Sequence, residues 1–303
     1  MKPSLIILAA GMGSRYGGLK QLDQFGPNGE AIIDYSLYDA LAAGFGKIVF
    51  IIRESFKADM INAFAHKLDG KVEYHFVNQD LSMVPPGIPV HPERTKPWGT
   101  AHAVWVARDV IREPFGVINA DDFYGAESYQ TLADFLKGLK PDDLTSYCTI
   151  GYYLRNTLSE HGTVNRGICS VDEDHNLLAV HERTKIKRFP DGIIRYDSES
   201  ENPQALKDDD FASMNMWGCV PHYFNVMDRH FRTFLQEHGM DPKSEYYIPT
   251  LIDYMIAEHL ATVKVLPSES TWFGVTYPED KPAVMAALNK LIAAGKYPSS
   301  LWS

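Results

Sequence analysis

A short apolar run that empties into a glycine-rich loop with two cations constrains this chain more than any other feature. Residues 5 to 10 read as a buried strand, and Gly11-Met12-Gly13-Ser14-Arg15, Gly17-Gly18 and Lys20 follow at once. Glycines let backbone N–H groups turn inward and approach an anion closely. Arg15 and Lys20 can then neutralise phosphate charge. The run is too short, and too quickly followed by charge, for a secretory signal peptide. The spacing Gly11-x-Gly13-x-x-x-Gly17 is neither the dinucleotide-binding fingerprint nor a Walker A loop.

Downstream the pattern alternates. Residues 33–43, 54–66 and 100–111 carry helical periodicity, and 47–52, 72–77 and 115–119 read as strands, with a Pro-containing loop over 78–97. This order predicts an α/β fold with a mostly parallel sheet covered by helices on both faces. Ligands of such sheets bind beyond the carboxyl ends of the strands, where both the glycine loop and Asp121-Asp122 fall. The second half reads as strands at 146–153, 163–171, 177–182, 192–196 and 211–220, a small antiparallel lobe beside the main sheet. Within it, 197–210 reads as a polar mobile loop. Helices near 223–237 and 245–258, a strand at 263–266 and a helix over 278–294 close the chain.

Net charge is −10, which argues against a nucleic acid or an anionic membrane as partner. A phosphate ligand then needs cations concentrated locally. No apolar run reaches the length of a membrane span. The 3 cysteines have no metal spacing and suit a reducing compartment. The expectation is a soluble cytoplasmic protein, with an oligomer left open.

Asp121-Asp122 ends the strand 115–119. Vicinal strand-end carboxylates can hold Mg²⁺ against phosphates, since this ion takes few protein oxygens. Aspartate also caps helices, and a helix over 123–136 would use one. Gly99-Thr100 enters a helix with a close-approach backbone and a hydroxyl, suited to reading a base edge or to plain capping. His102 reads as a buried histidine rather than a base. Glu182-Arg183-Thr184-Lys185 ends a strand and could bind sugar hydroxyls and a phosphate, or be a solvated cluster. Trp217, beside Asn215 and Gly218, could stack on a sugar face or fill core.

The loop Leu8-Ala9-Ala10-Gly11-Met12-Gly13-Ser14-Arg15 with Lys20 resembles the signature of sugar-1-phosphate nucleotidyltransferases. The resemblance continues through Gly99-Thr100-Ala101, Asp121, Gly162-Thr163-Val164, His181-Glu182-Arg183, 215–218 and 274–280, nearly the whole chain. Thymidylyl- and uridylyltransferases acting on hexose 1-phosphates show these stations in this order. The resemblance implies a Rossmann-like domain over 1–303: a nucleotide-binding half (1–125), a sugar-phosphate lobe (146–220) and C-terminal helices with a closing strand (221–303). It implies in-line attack of a sugar 1-phosphate on the α-phosphorus of an NTP, UTP or dTTP above all, with Mg²⁺ as cofactor. Arg15, Lys20 and Asp121 would be catalytic. Leu8, Ala9, Ala10, Gly11, Gly13, Ser14, Arg15, Gly99 and Thr100 would bind the nucleotide. Gly162, Glu182, Arg183, Lys185, Asn215 and Trp217 would bind the sugar phosphate. Asp121 and Asp122 would meet the metal, joined by Thr276 or Asp280.

The short Arg15-to-Lys20 spacing, and Lys96-Pro97-Trp98 where a glutamine often precedes the Gly-Thr station, keep a cytidylyltransferase on a sugar or polyol phosphate in play. So do a glycosyltransferase of related fold and an NDP-sugar-binding regulator without turnover. The first would lack the Arg15/Lys20 loop and the second would lack Lys20 or Asp121.

Overall fold

The computed structural model describes residues 1–11, 20–159, 162–274 and 280–302. Its centre is β1 (Ser4–Leu8), where Leu5 and Ile7 face one core cluster and Ile6 the opposite one. β2 (Lys47–Ile52) repeats the pattern, with Ile48, Phe50 and Ile52 on the first side and Val49 and Ile51 on the second. Strands apolar on both faces belong to parallel sheets buried between helices. β3 (Glu73–Asn78) and β4 (Phe115–Asn119) complete the parallel set in the order β3-β2-β1-β4.

One face is covered by α1 (Ile32–Ala43), α2 (Lys57–Leu68) and α4 (Ala126–Gly138). The other is covered by α3 (Thr100–Trp105), α5 (His222–His238) and α6 (Ile248–Ala257). Local signals fix their ends. Ala31 N–H donates to Asp34 Oδ2 at 2.9 Å at the start of α1, and Gly44 at φ +87° terminates it.

The second half extends the same sheet. β11 (Phe211–Cys219) runs antiparallel to β4 through Trp217–Cys219, and to β6 (Ser146–Tyr153) along most of its length. Its first half also pairs with β7 (Val164–Val171), beyond which β8 (Leu177–Arg188), β9 (Ile194–Tyr196) and β10 (Gln204–Leu206) follow in order. β12 (Thr262–Ser268) lies parallel to β6. A separate two-stranded pair joins β5 (Asp122–Phe123) to β13 (Phe273–Gly274). α7 (Lys281–Ala293) packs Val284 and Leu288 on Phe123 and Tyr35. The tail after it docks on α1, through Tyr297 OH to Asp39 Oδ2 at 2.7 Å and Trp302 Nε1 to Asp34 Oδ1 at 2.8 Å.

Several expectations need correction. The expected antiparallel strands are present, and they join the main sheet through β11. The helix expected over 100–111 ends at Trp105, and a tight 3-10 turn takes Val106–Asp109. Residues 54–56 wind as a 3-10 turn before α2. The stretch 197–210 contains β10, because Leu206 packs on the apolar cluster and its strand pairs with β9. The helix after Asp122 begins at Ala126, since Gly125 at φ +80° interrupts the chain, so Asp122 is not its cap.

Two buried groups titrate in opposite senses. Burial pushes the Asp39 carboxyl up to about 7, with Tyr297 opposing it, and pushes the fully buried His102 down to about 4. His102 Nε2–H donates to Met83 O at 2.7 Å, and Nδ1 accepts from Gln79 Nε2 at 3.0 Å, so the neutral ring is satisfied. As pH falls from about 6.5 to 4, the unfolded chain protonates His102 and the folded protein does not, so this group destabilises on acidification. Over about pH 4 to 7 the folded protein holds a proton on Asp39 that the unfolded chain has lost, so this group destabilises as pH rises. Each slope reaches about 1.4 kcal/mol per pH unit at most, and they offset. Asp39→Asn should therefore give a stability profile that climbs more steeply with pH than wild type. His102→Gln should tilt it the other way. Urea midpoints across this range check both signs.

Candidate active site

Leu8 at the end of β1 is in register with Asn119 at the end of β4, and Ala120 N–H donates to Leu8 O at 3.2 Å. Ala9-Ala10-Gly11 and Ala120-Asp121-Asp122 therefore leave neighbouring parallel strands at the same sheet edge. Ala9 and Ala10 are buried and Gly11 is exposed. Ala9 N–H donates to Ile51 O and Arg53 Nε to Ala10 O, both within 2.9 Å. Gln21 Nε2 donates to Gly11 O at 2.9 Å, so the segment just after the glycine loop is tied to its start. Lys20 opens a 3-10 turn, Lys20–Leu22. Gly13, Ser14, Arg15 and Thr276 lie outside the described residues.

A polar chain crosses from β4 to β11. Trp217 Nε1 donates to Asn215 Oδ1 at 3.0 Å, Asn215 Nδ2 to Asn119 Oδ1 at 2.7 Å, and Asn119 Nδ2 to Asp122 Oδ2 at 2.8 Å. Tyr124 OH accepts from Asn119 N–H at 3.0 Å and donates to Met214 O at 3.0 Å. Asn215 sits at φ +61° in the register break of β11, a conformation asparagine tolerates better than most residues. Asp122 pairs with Gly274, where a Cβ would come within 2.6 Å of Asp122 Oδ1, so glycine is what lets the two strands meet there. Asp121 and Asp122 are both partly exposed at this edge. Asp280 takes the N-cap position of α7 without a side-chain cap bond.

Gly99 and Thr100 form a clasp with the chain before α6. Tyr246 N–H donates to Trp98 O at 2.7 Å, Ala101 N–H to Tyr246 O at 3.1 Å, and Ile248 N–H to Thr100 Oγ1 at 3.1 Å. Thr100 is thus the first residue of α3 and an acceptor for its neighbour, with Gly99 as N-cap at φ +104°. Beside this turn opens a cleft of about 270 Å³ at the carboxyl ends of β2 and β3, lined by Arg53, Gln79, Asp80, Thr95 and Pro97. Gln79 also reaches Gly99 O at 3.4 Å. Arg53 and Gln79 were not singled out from the sequence. Their signal was position alone, at or just past the end of an apolar strand.

The sugar-phosphate candidates separate on inspection. Glu182 lies mid-strand in β8, across Gly167 from Ser213, and is exposed. Desolvation pushes its carboxyl up while Arg166 pulls it down. Gly162 is exposed with open space above its Cα. Trp217 is 0% exposed, so it fills core and holds Asn215 rather than offering its ring to a sugar. Arg183 lies over the Tyr196 ring at 4.6 Å, and Lys185, at φ +54°, pairs its ammonium with Glu199. A described cation that approaches both Asp122 and Glu182 is Arg166 on β7, which sequence reasoning passed over.

A family model described as nucleotidyl transferase matches residues 4–189. The chain belongs to this family. A comparison with proteins of curated function gave no match. Among solved structures it is similar to the inositol-1-phosphate CTP transferase from T. maritima, at 12% identity and TM-score 0.60 over 96% of both chains. It is also similar to a putative glucose-1-phosphate thymidylyltransferase from Bacillus anthracis, solved in complex with a sucrose, at 13% identity and TM-score 0.59 over 94% of both chains. These likenesses establish a shared Rossmann-like nucleotidyltransferase fold. No helix of the described residues is long and apolar enough to cross a membrane.

The clasp of this nucleotidyl transferase depends on Gly99. A Cβ there would lie 2.4 Å from Tyr246 O, on a backbone that only glycine adopts readily. Gly99→Ala should cost at least about 2 kcal/mol. Gly70→Ala, at φ +74° with open space around it, should cost only about 1 to 2 kcal/mol, the strain of the left-handed backbone without a clash. Chemical denaturation of the two variants gives the comparison.

Proposed function

We propose that the protein transfers a nucleotidyl group from an NTP to a sugar 1-phosphate, releasing pyrophosphate. The observation that carries this reading is the shared sheet edge: the chain from β1 enters the glycine loop beside the carboxylates that follow β4. An acceptor phosphate oxygen attacks the α-phosphorus, the bond from that phosphorus to the bridging oxygen breaks, and pyrophosphate departs. Nothing in the described site is an activated nucleophile, and none is needed. Catalysis rests on holding two anions in line and on neutralising charge.

Asp121 and Asp122 suit Mg²⁺. They are hard oxygen donors, and one or two carboxylates are what this ion usually takes from a protein, with phosphates and water completing its shell. Among the described residues no cluster of three or more His, Cys, Asp or Glu competes with them. When bound, the ion supplies positive charge to the phosphates. Asn119 orients Asp122 through the bond to Oδ2, and Asn215 orients Asn119. Arg15 and Lys20 hold the triphosphate, Gly99 and Thr100 border the base, and Glu182 and Asn215 meet the sugar.

UTP or dTTP is the first reading of the nucleotide. CTP is supported by a specific observation. Trp98, in the tripeptide where a glutamine often stands, is fully buried under Arg94, so that stretch contributes packing rather than a base-reading side chain. One structural relative is a CTP transferase, which fits this alternative.

A pyrophosphate-release screen of UTP, dTTP, CTP, ATP and GTP against hexose, pentose and inositol 1-phosphates tests the reading. One pair should stand out, and the absence of release from every pair overturns it. With that pair, Asp121→Asn should lower kcat by ~10²-fold or more at saturating Mg²⁺, with the melting temperature held. Turnover near wild type would remove Asp121 from the metal site.

A further inference from the structure

Arg166 sits in a crowded place and has no ion-pair partner among the described residues. On β7 it precedes Gly167, which faces Glu182 on one side and Ser213 on the other. Its guanidinium is held in one orientation. Nη1 donates to Asn165 O at 2.8 Å, Nη2 donates to Thr157 O, and the plane lies 4.6 Å from the centre of the Trp272 ring. Arg166 Nε is buried without a hydrogen-bond partner, and so is Trp272 Nε1 beside it. Trp272 in turn packs against Gly274, the register partner of Asp122. The cation and its indole platform therefore belong to the carboxylate end of the site. Asp122 and Glu182 act on it only at longer range, and burial lowers its pKa to about 10.

A partly buried guanidinium without a close counter-charge is expensive, and an unpaired buried donor adds to the cost. The arrangement becomes favourable when an anion arrives. Arg183 and Lys185 are not equivalent alternatives. Arg183 is spread over Tyr196, and Lys185 and Glu199 form a pair whose side chains are 50% and 64% exposed, a solvent-side contact of little energetic consequence. Of these three cations, Arg166 combines a fixed orientation, unused donors and proximity to both Asp122 and Glu182.

We propose that Arg166, and not Arg183 or Lys185, is the cation that receives the phosphate of the acceptor substrate. The inference rests on the nucleotidyl-transfer reading above. Trp272 stacks on the guanidinium and keeps it extended. The acceptor phosphate and the triphosphate repel each other as they close, and a fixed guanidinium beside the former offsets that repulsion. Because the side chain is immobilised before substrate binds, little rotamer entropy is lost on binding.

The test uses the full chain with the substrate pair found by the release screen. Arg166→Gln should raise the acceptor KM at least tenfold and leave the nucleotide KM within twofold. Arg166→Lys should recover part of that loss, since an ammonium keeps the charge without the fork. An unchanged acceptor KM in the Gln variant overturns the proposal. So does an equal rise in both KM values, or a failure of Lys to rescue accompanied by a fall in melting temperature, which is the signature of a structural arginine. A ³¹P NMR titration with inorganic phosphate, without nucleotide, gives an answer that needs no turnover. Wild type should bind at least fivefold tighter than Arg166→Gln, and equal affinities, or no phosphate binding by wild type, overturn the proposal even if no substrate pair is found. Failure of the screen with a phosphate affinity that does depend on Arg166 counts against the transfer reading alone.

Discussion

The register break in β11 is the constraint on which the rest of the site depends. One strand serves two sheets' worth of partners: its first half lies between β6 and β7, its second between β6 and β4. The switch occurs between Ser213 and Trp217, where Asn215 adopts a positive φ. A bulge re-aims side chains locally. Here it turns Asn215 toward Asn119 at the end of β4, so that a side-chain hydrogen bond of 2.7 Å adds to the backbone ladder that joins the antiparallel strands to the parallel ones. Trp217, fully buried, locks Asn215 from behind. Asp122, after β4, is oriented by the same chain of amides. Without the break, β11 would continue along β4, and β7 with Arg166, followed by β8 with Glu182, would have no edge to join.

Electrostatics follow from this geometry rather than from overall charge. The chain carries a net −10, which disfavours a phosphate-rich ligand at long range. What matters is how few cations stand at the sheet edge and how they are held. Lys67, Lys47 and Lys96 are committed to carboxylates elsewhere, at 2.6 Å, 2.9 Å and 2.5 Å from Asp34, Glu113 and Glu245. Arg94 is buried, bonded to backbone carbonyls and stacked on Trp98. Arg166 is braced in a similar way, by carbonyls and an aromatic ring, with no counter-ion within bonding distance among the described residues, but it stands on β7 near the carboxylate end of the site.

Much of this was legible in the sequence, for a physical reason. β1, β2 and β4 are apolar on both faces, which only a helix-covered parallel sheet satisfies, and a glycine loop and an aspartate pair at their carboxyl ends mark the site edge directly. Signals that depend on pairing between distant segments were not legible. Asp122 looked like a helix cap because its own sequence neighbours suit one. Its actual partner is Gly274, far along the chain. Trp217 looked like a sugar platform because an aromatic near a polar strand end often is one, yet burial between two strands decides otherwise. Lys185 and Arg183 looked like phosphate ligands by charge, but their directions come from a left-handed residue and from Tyr196 on a neighbouring strand. Arg166 was invisible because one arginine within a half-polar strand carries no local signal until Trp272 is folded against it.

The two sides of the proposed site are linked by one short segment, 245–248. Its backbone clasps Trp98, Thr100 and Ala101 on the side assigned to the nucleotide. Its Tyr247 hydroxyl is pushed up to about 12 by burial, the bond to Glu245 and the charges of Glu245 and Glu182. α6, which continues from this segment, packs on β8, the strand that carries Glu182. A displacement of the clasp therefore moves both walls of the site at once. In-line transfer needs the attacking oxygen and the α-phosphorus held within a few tenths of an ångström of their productive geometry. A fold that hangs both binding walls on one hydrogen-bonded segment meets that need with the backbone, and leaves the side chains to supply charge.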